Sequence, residues 1–265
     1  MVHTVQLLKR GWNILLENGP VALVSRSGAF GRYLIESKYY GWGAKRKSPI
    51  EYHDVTLPLD MDIFDNRVRH AFMTKSYEAA EVELIAEHVA GPYDVIDLGA
   101  STGFSTVYAL NQLNRQSRGV AVEANPSMID VINAVRKMNS ADFEVEHAAY
   151  RPGEPEVTFH VHEKTVSGST KKRGEQEITV STVTLADIIK KYDIGEFVCL
   201  VDIEGGEIDL VRNELDTLTQ NCKLIVVELH DFDGIAEEAK QRFVDSEFKL
   251  VASVGDVYVF RNESL

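Results

Sequence analysis

One short stretch of the sequence, Y-D-V-I-D-L-G-A-S-T-G at Tyr93–Gly103, constrains the fold of this chain more than any other. Its first part, Val95–Leu98, has the character of a short buried strand, and it leads directly into a turn bounded by two glycines. Apolar periodicity resumes after the turn, so we predict a helix that starts near Ser101–Thr102, where either residue could cap it. Glycines let a backbone approach a ligand closely, and the free amides of a helix start face that ligand. The stretch therefore predicts a nucleotide-type site with the Asp97 carboxylate beside the ligand.

The spacing of the glycines indicates which nucleotide is bound. A dinucleotide fingerprint requires G-x-G-x-x-G, whereas this sequence has D-x-G-x-x-x-G, with Ser101 in place of the second glycine. A second strand, Gly119–Glu123, ends in an acid that suits a ribose diol in either cofactor. The additional acid at Asp97 and the absent middle glycine favour S-adenosylmethionine (AdoMet), which has an amino-acid tail and no phosphates. The alternatives are an NAD-dependent oxidoreductase on the same fold, and an ordinary glycine turn whose neighbouring acids cap helices or face solvent.

The composition argues against several classes of protein. The 265 residues are 44% hydrophobic and 26% charged, as in an ordinary soluble globular protein, and the net charge of −13 argues against nucleic acid as the main partner. No apolar run approaches the length of a membrane span, and the N-terminus lacks the core of a signal peptide. Cys199 and Cys222 sit in or beside apolar runs, so we expect inert core thiols and a reducing, cytoplasmic location.

Charge is distributed unevenly along the chain. Residues 1–50 carry eight Lys and Arg against two acids, a balance of +6, which leaves −19 for residues 51–265. The simplest interpretation is a helical cap that shows its basic residues to solvent, because amphipathic helices in soluble proteins usually bury their apolar face in a core. The alternative is that Lys9, Arg10 and Lys45–Lys47 face an anionic surface, such as a membrane leaflet, with weak and salt-sensitive peripheral attachment.

Helical and strand patterns alternate through most of the chain. Predicted helices cover residues 4–17, 21–39, 76–90, 126–138, 186–192 and 208–218; predicted strands cover residues 95–98, 119–123, 143–149, 156–162, 177–184, 197–203, 224–229, 248–253 and 256–260; residues 41–49 and 163–174 are expected to be loops, and residues 50–65 an extended strap or short hairpin. This alternation is typical of an open doubly wound sheet, whose ligands bind at the carboxyl ends of the strands. We expect a helical, basic extension over residues 1–75 and a second domain over residues 76–265.

Several segments together resemble the FkbM-type methyltransferases, a branch of the Rossmann-like AdoMet-dependent methyltransferases. They are Tyr77-Glu78 with Glu81, Val95–Gly103, Val122–Pro126, Val183–Asp187, Val201–Glu207 and Val227-Glu228, in the family's order. The run D-I-E-G-G-E after a buried strand, at Asp202–Glu207, is the most specific of them. The family usually has a lysine two residues before that aspartate, where this chain has Leu200, so no role of that lysine is carried over.

The resemblance implies an α/β fold with a Rossmann-like, doubly wound, mostly parallel sheet of the AdoMet methyltransferase type. It also implies transfer of a methyl group from AdoMet to a hydroxyl, often of a sugar, glycan or similar secondary product; a degenerate methyltransferase that serves as a binding module is the non-enzymatic alternative. Asp97 and Gly99 are then expected to border the methionine tail. Glu78 is expected to reach the ammonium, and Glu123 the ribose hydroxyls. The expected cofactor-binding residues are Tyr77, Glu78, Asp97, Gly99, Ser101, Gly103, Phe104, Glu123, Asn125, Ala148 and Asp202.

The residues expected to perform the chemistry follow the fourth and fifth strands of the fold. An alcohol is a poor nucleophile at neutral pH, so its methylation benefits from a base or a metal. Asp202 and Glu204 come after one strand, and Glu228 and His230 come at the end of its neighbour. We predict that His230 is the base and that Asp202 or Glu228 orients it. The same acids with His230 could instead hold Mg²⁺ or Mn²⁺, which prefer hard oxygen ligands, although nothing in the sequence requires a metal. The histidines on strands, His147, His160 and His162, are expected to be structural.

Overall fold

The computed structural model describes residue 33 and residues 35–114, 116–161, 168–169, 176–203, 205–231 and 234–265. The helix predicted over residues 4–17 and most of the one predicted over 21–39 lie outside the described residues. His162 and the predicted catalytic residue Glu204 lie outside them as well, as do Lys9 and Arg10.

The described chain alternates between strands and helices, as the sequence predicts. The helices are α1 (35–47), α2 (Asn66–Met73), α3 (Ala79–His88), α4 (Phe104–Gln112), α5 (Pro126–Asn139), α6 (Leu185–Tyr192), α7 (Glu207–Asn213), α8 (Leu215–Asn221) and α9 (Ile235–Val244). The strands are β1 (Ile50–Tyr52), β2 (Val55–Leu57), β3 (Asp94–Leu98), β4 (Gly119–Glu123), β5 (Phe143–His147), β6 (Ala149–Tyr150), β7 (Glu156–Val161), β8 (Gly168–Ser169), β9 (Gln176–Val183), β10 (Phe197–Val201), β11 (Cys222–Glu228), β12 (Phe248–Val254) and β13 (Val257–Asn262).

Seven strands form the central sheet, in the spatial order β12-β13-β11-β10-β3-β4-β5. The neighbouring pairs from β11 to β5 are all parallel, and β13 runs antiparallel to β11 and β12. The strand order therefore reverses at β3, which is the switch point of a doubly wound sheet. A smaller sheet, β6-β9-β7-β8, contains the predicted antiparallel pair β7 and β9. The predicted fold class, an α/β fold built on a mostly parallel sheet, is confirmed.

The central strands are buried on both faces because they are uninterrupted runs of apolar residues. In β10, Val198 and Leu200 pack with α3, α4 and α5 on one face of the sheet. Phe197, Cys199 and Val201 pack with α6 to α9 on the other face. Cys199 and Cys222 are both buried and unbridged, which agrees with the expected core thiols.

Part of the predicted N-terminal extension shares the core of the main fold. Residues 50–57 form the antiparallel hairpin β1–β2, one of the two forms expected for that stretch. Ala44, Leu57 and Phe72 are buried in the same cluster as the apolar residues of α3 and α4. The domain boundary at residue 75 remains a prediction.

Among the described helices, none combines the length and apolar character that a bilayer crossing requires.

The predicted start of α4 at Ser101–Thr102 is wrong by two to three residues. The helix begins at Phe104, and Gly103 is its N-cap, in the left-handed region at φ +75°. Ser101 is also left-handed, at φ +48°, so the chain is still turning where the helix was expected to begin. Thr102 is not the cap, although its hydroxyl accepts the N–H of Phe104 at 3.3 Å.

The basic loop predicted at Gly41–Pro49 is also wrong, because α1 continues to residue 47. Two glycines in this stretch suggest a loop, but a glycine in a helix costs only about 1 kcal/mol relative to alanine. Burial of Ala44 favours the helix, and Gly41 allows close packing, since a Cβ there would lie 2.5 Å from Oδ1 of Asn66. The helix α2 that starts at Asn66 was not predicted. Its N-cap, Asp65, accepts N–H groups from the first turn.

The helix predicted over residues 208–218 is divided into α7 and α8 at Glu214. Glu214 is buried, and its carboxylate accepts the N–H groups of Leu185 at 2.8 Å and Ala186 at 3.1 Å and the hydroxyl of Tyr150 at 2.8 Å. It therefore satisfies amides at the start of α6, in addition to the cap from Thr184. Apolar periodicity does not reveal such a contact. The helix α9 was likewise not predicted.

Candidate active site

The predicted site residues converge at one edge of the sheet. Because β3, β4, β10 and β11 are parallel neighbours, their carboxyl ends lie side by side. The acids at these strand ends come from positions as far apart in the sequence as residues 97 and 228, and at a switch point such residues border the crevice in which open α/β sheets bind their ligands.

The glycine turn after β3 is packed against the end of β10. Gly99 is left-handed at φ +92°, and a Cβ on it would lie only 1.9 Å from the carbonyl oxygen of Asp202. The Asp202 N–H donates to the carbonyl of Leu98 at 2.9 Å, which fixes this approach. Gly99 therefore sets the distance between the cofactor turn and Asp202, a role in addition to the ligand contact predicted for it.

Glu123 connects the glycine turn to the start of α5. Its two carboxylate oxygens accept the N–H of Ser101 at 2.8 Å and the N–H of Asn125 at 2.6 Å. Burial raises the pKa of this carboxyl above its usual value, while the N–H donors act in the opposite direction. The carbonyl of Glu123 accepts the N–H of Ala148 at 3.1 Å, so Ala148, another of the predicted cofactor-binding residues, is held in place by Glu123. The N–H of Ala124 is a third donor to this carboxylate, and because a carboxylate has about four lone-pair sites, a ribose hydroxyl can use the one that remains.

Asn125 is buried and holds one polar group ready for a ligand. Its Oδ1 caps α5 by accepting the N–H of Ser127 at 3.1 Å. Its Nδ2 is buried and has no hydrogen-bond partner among the described residues. A buried donor without a partner costs about 1–3 kcal/mol, so its retention fits a ligand acceptor such as a ribose or adenine atom.

Asp97 lies at the carboxyl end of β3 and is 3% exposed. The hydroxyl of Thr106, on α4, donates to it at 2.5 Å. Burial raises the pKa of Asp97 to about 7, and Glu123 adds a smaller contribution in the same direction. Leu200, fully buried, lies beside it in the register of β3 and β10, so the lysine usual in the family is replaced by an apolar neighbour.

A second group of carboxyls lies at the start of α3. Glu78 is left-handed at φ +44°, and its pKa is raised to about 7, first by burial and then by the charge of Glu228. Glu81 accepts the hydroxyl of Ser105 at 2.7 Å, and burial raises its pKa as well. The ring of Tyr77 stacks on Phe72 with the centroids 4.0 Å apart. An ammonium or sulfonium ligand would stabilise the ionised forms of these acids.

The side chain of Phe104, predicted at the cofactor, is 1% exposed. It belongs to an aromatic cluster with Tyr52, Tyr77 and Tyr108. Its contribution to a cofactor site is therefore limited to its backbone and to the support it gives Tyr77.

His230 is oriented by Glu207, rather than by Asp202 or Glu228 as we predicted. Its Nδ1 lies 2.9 Å from Oε1 of Glu207, which is 2% exposed and also accepts the N–H of Gly205 at 3.1 Å. The other ring nitrogen, Nε2, lies 3.8 Å from Asp202 and 3.7 Å from Glu228. The Glu207 contact raises the pKa of His230 to about 9, because it stabilises the charged imidazolium.

Asp202, Glu228 and His230 could together hold a metal ion. One ligand atom from each lies within 4.8 Å of the other two. The Glu207 contact at Nδ1 resembles the outer-sphere carboxylate that usually orients a metal-binding histidine. The described residues therefore fit either a base or a cation site at this position.

Sequence reasoning missed two residues of this site. Thr106 bonds to Asp97, and its only signal is a hydroxyl on the buried face of α4. Glu207 is the last residue of D-I-E-G-G-E and opens α7, where a carboxylate is favourable in any case. Of the histidines expected to be structural, His147 bonds through Nε2 to the carbonyl of Ala124 at 3.3 Å, and His160 lies 3.6 Å from Glu177.

Comparison with known proteins identifies a family for this chain. The model of the methyltransferase FkbM domain matches residues 97–254, which is more than half of the sequence. The matched region includes Asp97, Glu123, Asp202 and His230. No curated protein matches the chain.

The chain is also similar, at low sequence identity, to solved structures of methyltransferases. The O-methyltransferase TomG of Streptomyces achromogenes, involved in tomaymycin synthesis, is 12% identical over 68% of this chain and 76% of that one, with a TM-score of 0.43. An O-methyltransferase of Bacillus cereus is 11% identical over 68% and 77%, with a TM-score of 0.41. A methyltransferase of Pyrococcus furiosus is 12% identical over 87% and 98%, with a TM-score of 0.43. At these identities and TM-scores, no substrate or mechanism is transferred from them to this chain.

Proposed function

Because the chain belongs to the FkbM methyltransferase family, we propose that it transfers a methyl group from AdoMet to a hydroxyl of a sugar, glycan or similar secondary product. The observation that carries the hydroxyl as acceptor is the pair His230 and Glu207 at the end of β11. A buried carboxylate holds one nitrogen of the imidazole, and the other nitrogen faces the crevice. Methylation of an alcohol requires such a group to take up the hydroxyl proton.

The chemistry of the crevice fits AdoMet better than NAD. AdoMet carries an ammonium and a sulfonium cation, whereas NAD carries two phosphate charges. Glu78 and Asp97 lie close enough to Glu81 that their charges raise its pKa. Burial raises the pKa of all three acids. A bound cation would lower those pKa values and restore the ionised forms, whereas a pyrophosphate would meet repulsion.

The chain offers a separate group for each part of the cofactor. Glu78 and Asp97 would hold the amino-acid tail, Glu123 the ribose, and the unpaired Nδ2 of Asn125 an acceptor on the nucleoside. When bound, AdoMet supplies an electrophilic methyl group. The protein would contribute mainly the alignment of acceptor and donor and the exclusion of water, because an in-line displacement depends strongly on positioning.

We assign the uptake of the hydroxyl proton to His230. In its neutral form the ring keeps Nδ1–H on Glu207, so Nε2 is the acceptor and faces Asp202 and Glu228. The hydroxyl proton passes to Nε2 as the oxygen gains the methyl group, and Glu207 stabilises the resulting imidazolium. Since the pKa of His230 is about 9, the neutral form becomes more abundant as the pH rises.

Labelled AdoMet tests this proposal directly. We expect incubation of the protein with fractionated cell extract to give a methylated product, and mass spectrometry to locate the label on a hydroxyl oxygen. A label on nitrogen or carbon would contradict O-methylation, and no turnover with any fraction would favour a binding module. Calorimetric titration with AdoMet and NAD separately checks the cofactor, with binding of AdoMet alone as the expected result.

The metal alternative is distinguished by a chelator. If His230 acts as a base, EDTA leaves the rate unchanged. If Asp202, Glu228 and His230 bind a cation, EDTA abolishes turnover, and Mg²⁺ or Mn²⁺ restores it.

A further inference from the structure

The helix α1 presents its large apolar residues to solvent. Ile35 is 72% exposed, Tyr39 70% and Trp42 60%. These residues stand at positions i, i+4 and i+7, so their side chains form a single stripe along the helix. An ordinary amphipathic helix would turn such a stripe towards the core.

The opposite side of α1 explains this orientation. Ser37 is 3% exposed and Ala44 is fully buried. Gly41 lies against Asn66 at the start of α2, with no room for a Cβ. The helix therefore packs on the protein through its small residues, and the large residues on the other side are left for a different contact.

Cations accompany the exposed stripe. Lys38, Arg46 and Lys47 are exposed on the same helix. The Arg46 guanidinium lies over the ring of Trp42, 4.7 Å from its centroid. We call the set Ile35, Lys38, Tyr39, Trp42, Arg46 and Lys47 the α1 surface.

We propose that the α1 surface binds the surface of an anionic lipid bilayer. An interfacial helix is recognised by apolar and aromatic residues on one face with flanking cations, and tryptophan and tyrosine favour the level of the lipid headgroups. Charge complementarity selects the anionic lipid, since residues 1–50 carry +6 whereas residues 51–265 carry −19. The bilayer would attract the first part of the chain and repel the second, which fixes the orientation of the protein.

This orientation has a consequence for the active site. The contact between α1 and α2 is at Asn66, and α2 is about 12 Å long at 1.5 Å per residue. It ends at Met73, shortly before Tyr77 and Glu78 in the site. The contact made by α1 is therefore one short helix away from the segment of the chain that enters the site.

Vesicle binding by the full chain tests the α1 surface without any methyl transfer. We expect sedimentation with vesicles of phosphatidylglycerol mixed into phosphatidylcholine, no sedimentation with phosphatidylcholine alone, and release as the salt concentration rises. The substitutions Lys38→Gln, Arg46→Gln and Lys47→Gln together should lower the partition coefficient on the order of a hundredfold. Ile35→Ser, Tyr39→Ser and Trp42→Ser together should abolish binding.

Matched variants separate this surface from general effects of charge or apolarity. Lys137→Gln, Lys190→Gln and Lys249→Gln remove three exposed cations elsewhere, and Met138→Ser with Val244→Ser removes exposed apolar residues elsewhere. Both should bind vesicles like the unaltered protein. Thermal unfolding and AdoMet titration should confirm that every variant is folded.

Fluorescence locates the contact. The chain has two tryptophans, so Trp12→Phe leaves Trp42 as the only one, and its emission should shift to shorter wavelength with anionic vesicles and be quenched by brominated lipid. Absence of vesicle binding at low salt overturns the proposal. Equal loss of vesicle binding in the control variants also overturns it. The proposal is overturned as well if the protein does not bind vesicles and instead forms a dimer that only the substitutions of Ile35, Tyr39 and Trp42 dissociate.

Discussion

The cofactor half and the acceptor half of the site are held in place by different kinds of contact. At the ends of β3 and β4, Glu123 bonds to backbone N–H groups and Asp97 bonds to a hydroxyl on the following helix, and both acids are buried. At the ends of β10 and β11, Asp202, Glu228 and His230 are partly exposed and contact one another through side chains. The first half is therefore fixed by the strand–turn–helix unit itself, whereas the second depends on side chains contributed by several elements.

This difference predicts which property each substitution changes. Changes in the acceptor half should mainly alter turnover, since we propose that its groups act on the reacting hydroxyl. Changes in the cofactor half should mainly alter affinity and stability, because its groups also hold the backbone of the turn.

The largest expected effect is that of His230→Ala on turnover. Removal of a general base typically costs 10²- to 10⁴-fold in rate, so kcat should fall by about that factor while the Kd for AdoMet changes by less than about twofold. The measurement is steady-state kinetics with the acceptor identified by labelling. His160→Ala, a histidine of the smaller sheet, is the control and should be fully active. A fully active His230→Ala enzyme would remove the base from the mechanism.

Gly99→Ala should be the most destabilising change at the boundary between the halves. The new Cβ would clash with the carbonyl of Asp202, and the left-handed backbone adds strain, so we expect a loss of about 3–5 kcal/mol in the free energy of unfolding. Gly153→Ala is the matched control: its φ is +89°, but no atom lies within 4 Å of the new Cβ. It should cost about 1 kcal/mol. Urea denaturation measures both variants. If both lost the same free energy of unfolding, the clash at Gly99 would be relieved without cost.

Asp97→Asn and Glu123→Ala should weaken AdoMet binding by about ten- to a hundredfold, or about 1.5–3 kcal/mol each. Asparagine retains an acceptor for Thr106, so its effect isolates the charge. Glu123→Ala also removes the acceptor of two N–H groups and should lower the stability as well. Calorimetry is the measurement, and Glu146→Gln, which removes a carboxylate paired with Lys191, is the control. Unchanged affinity in both folded variants would remove these acids from the cofactor site.

Glu207→Gln should produce the smallest change, a shift in pH dependence. Turnover of the unaltered protein should rise with pH up to about 9, where His230 loses its proton. The substitution removes the largest cause of the raised pKa, so the rising limb of the kcat profile should move to lower pH, by about 1–2 units. An unmoved limb would show that another group controls it.

The same contact predicts how stability depends on pH. The pKa of His230 is about 9 in the folded protein and 6.5 without its partners, so the protonated form stabilises the fold. That stability is fully present below pH 6.5 and is lost as the pH rises through 9. In Glu207→Gln the unfolding free energy should vary less over this interval.

The sequence alone determined the fold class and the position of the proposed cofactor-binding acids at the ends of two strands. The runs Val95–Leu98 and Gly119–Glu123 are each a strand followed closely by a turn or helix, so the acids at their ends are placed by local structure. Apolar continuity similarly predicted a central strand at Phe197–Ile203, and the structure has it at Phe197–Val201. These features depend only on residues that are close together in the sequence, so periodicity and spacing predict them.

Only the tertiary structure decided the features that join distant parts of the chain. Glu207 belongs to the run D-I-E-G-G-E, whose sequence does not indicate a partner, and it orients His230, 23 residues away. Glu214 ends one helix and caps another. The packing of Ala44 extends α1 through two glycines and leaves Trp42 exposed. In each case the contact that decides the conformation is made across the fold, where the free energy of burial and of hydrogen bonding outweighs the local preference that the sequence displays.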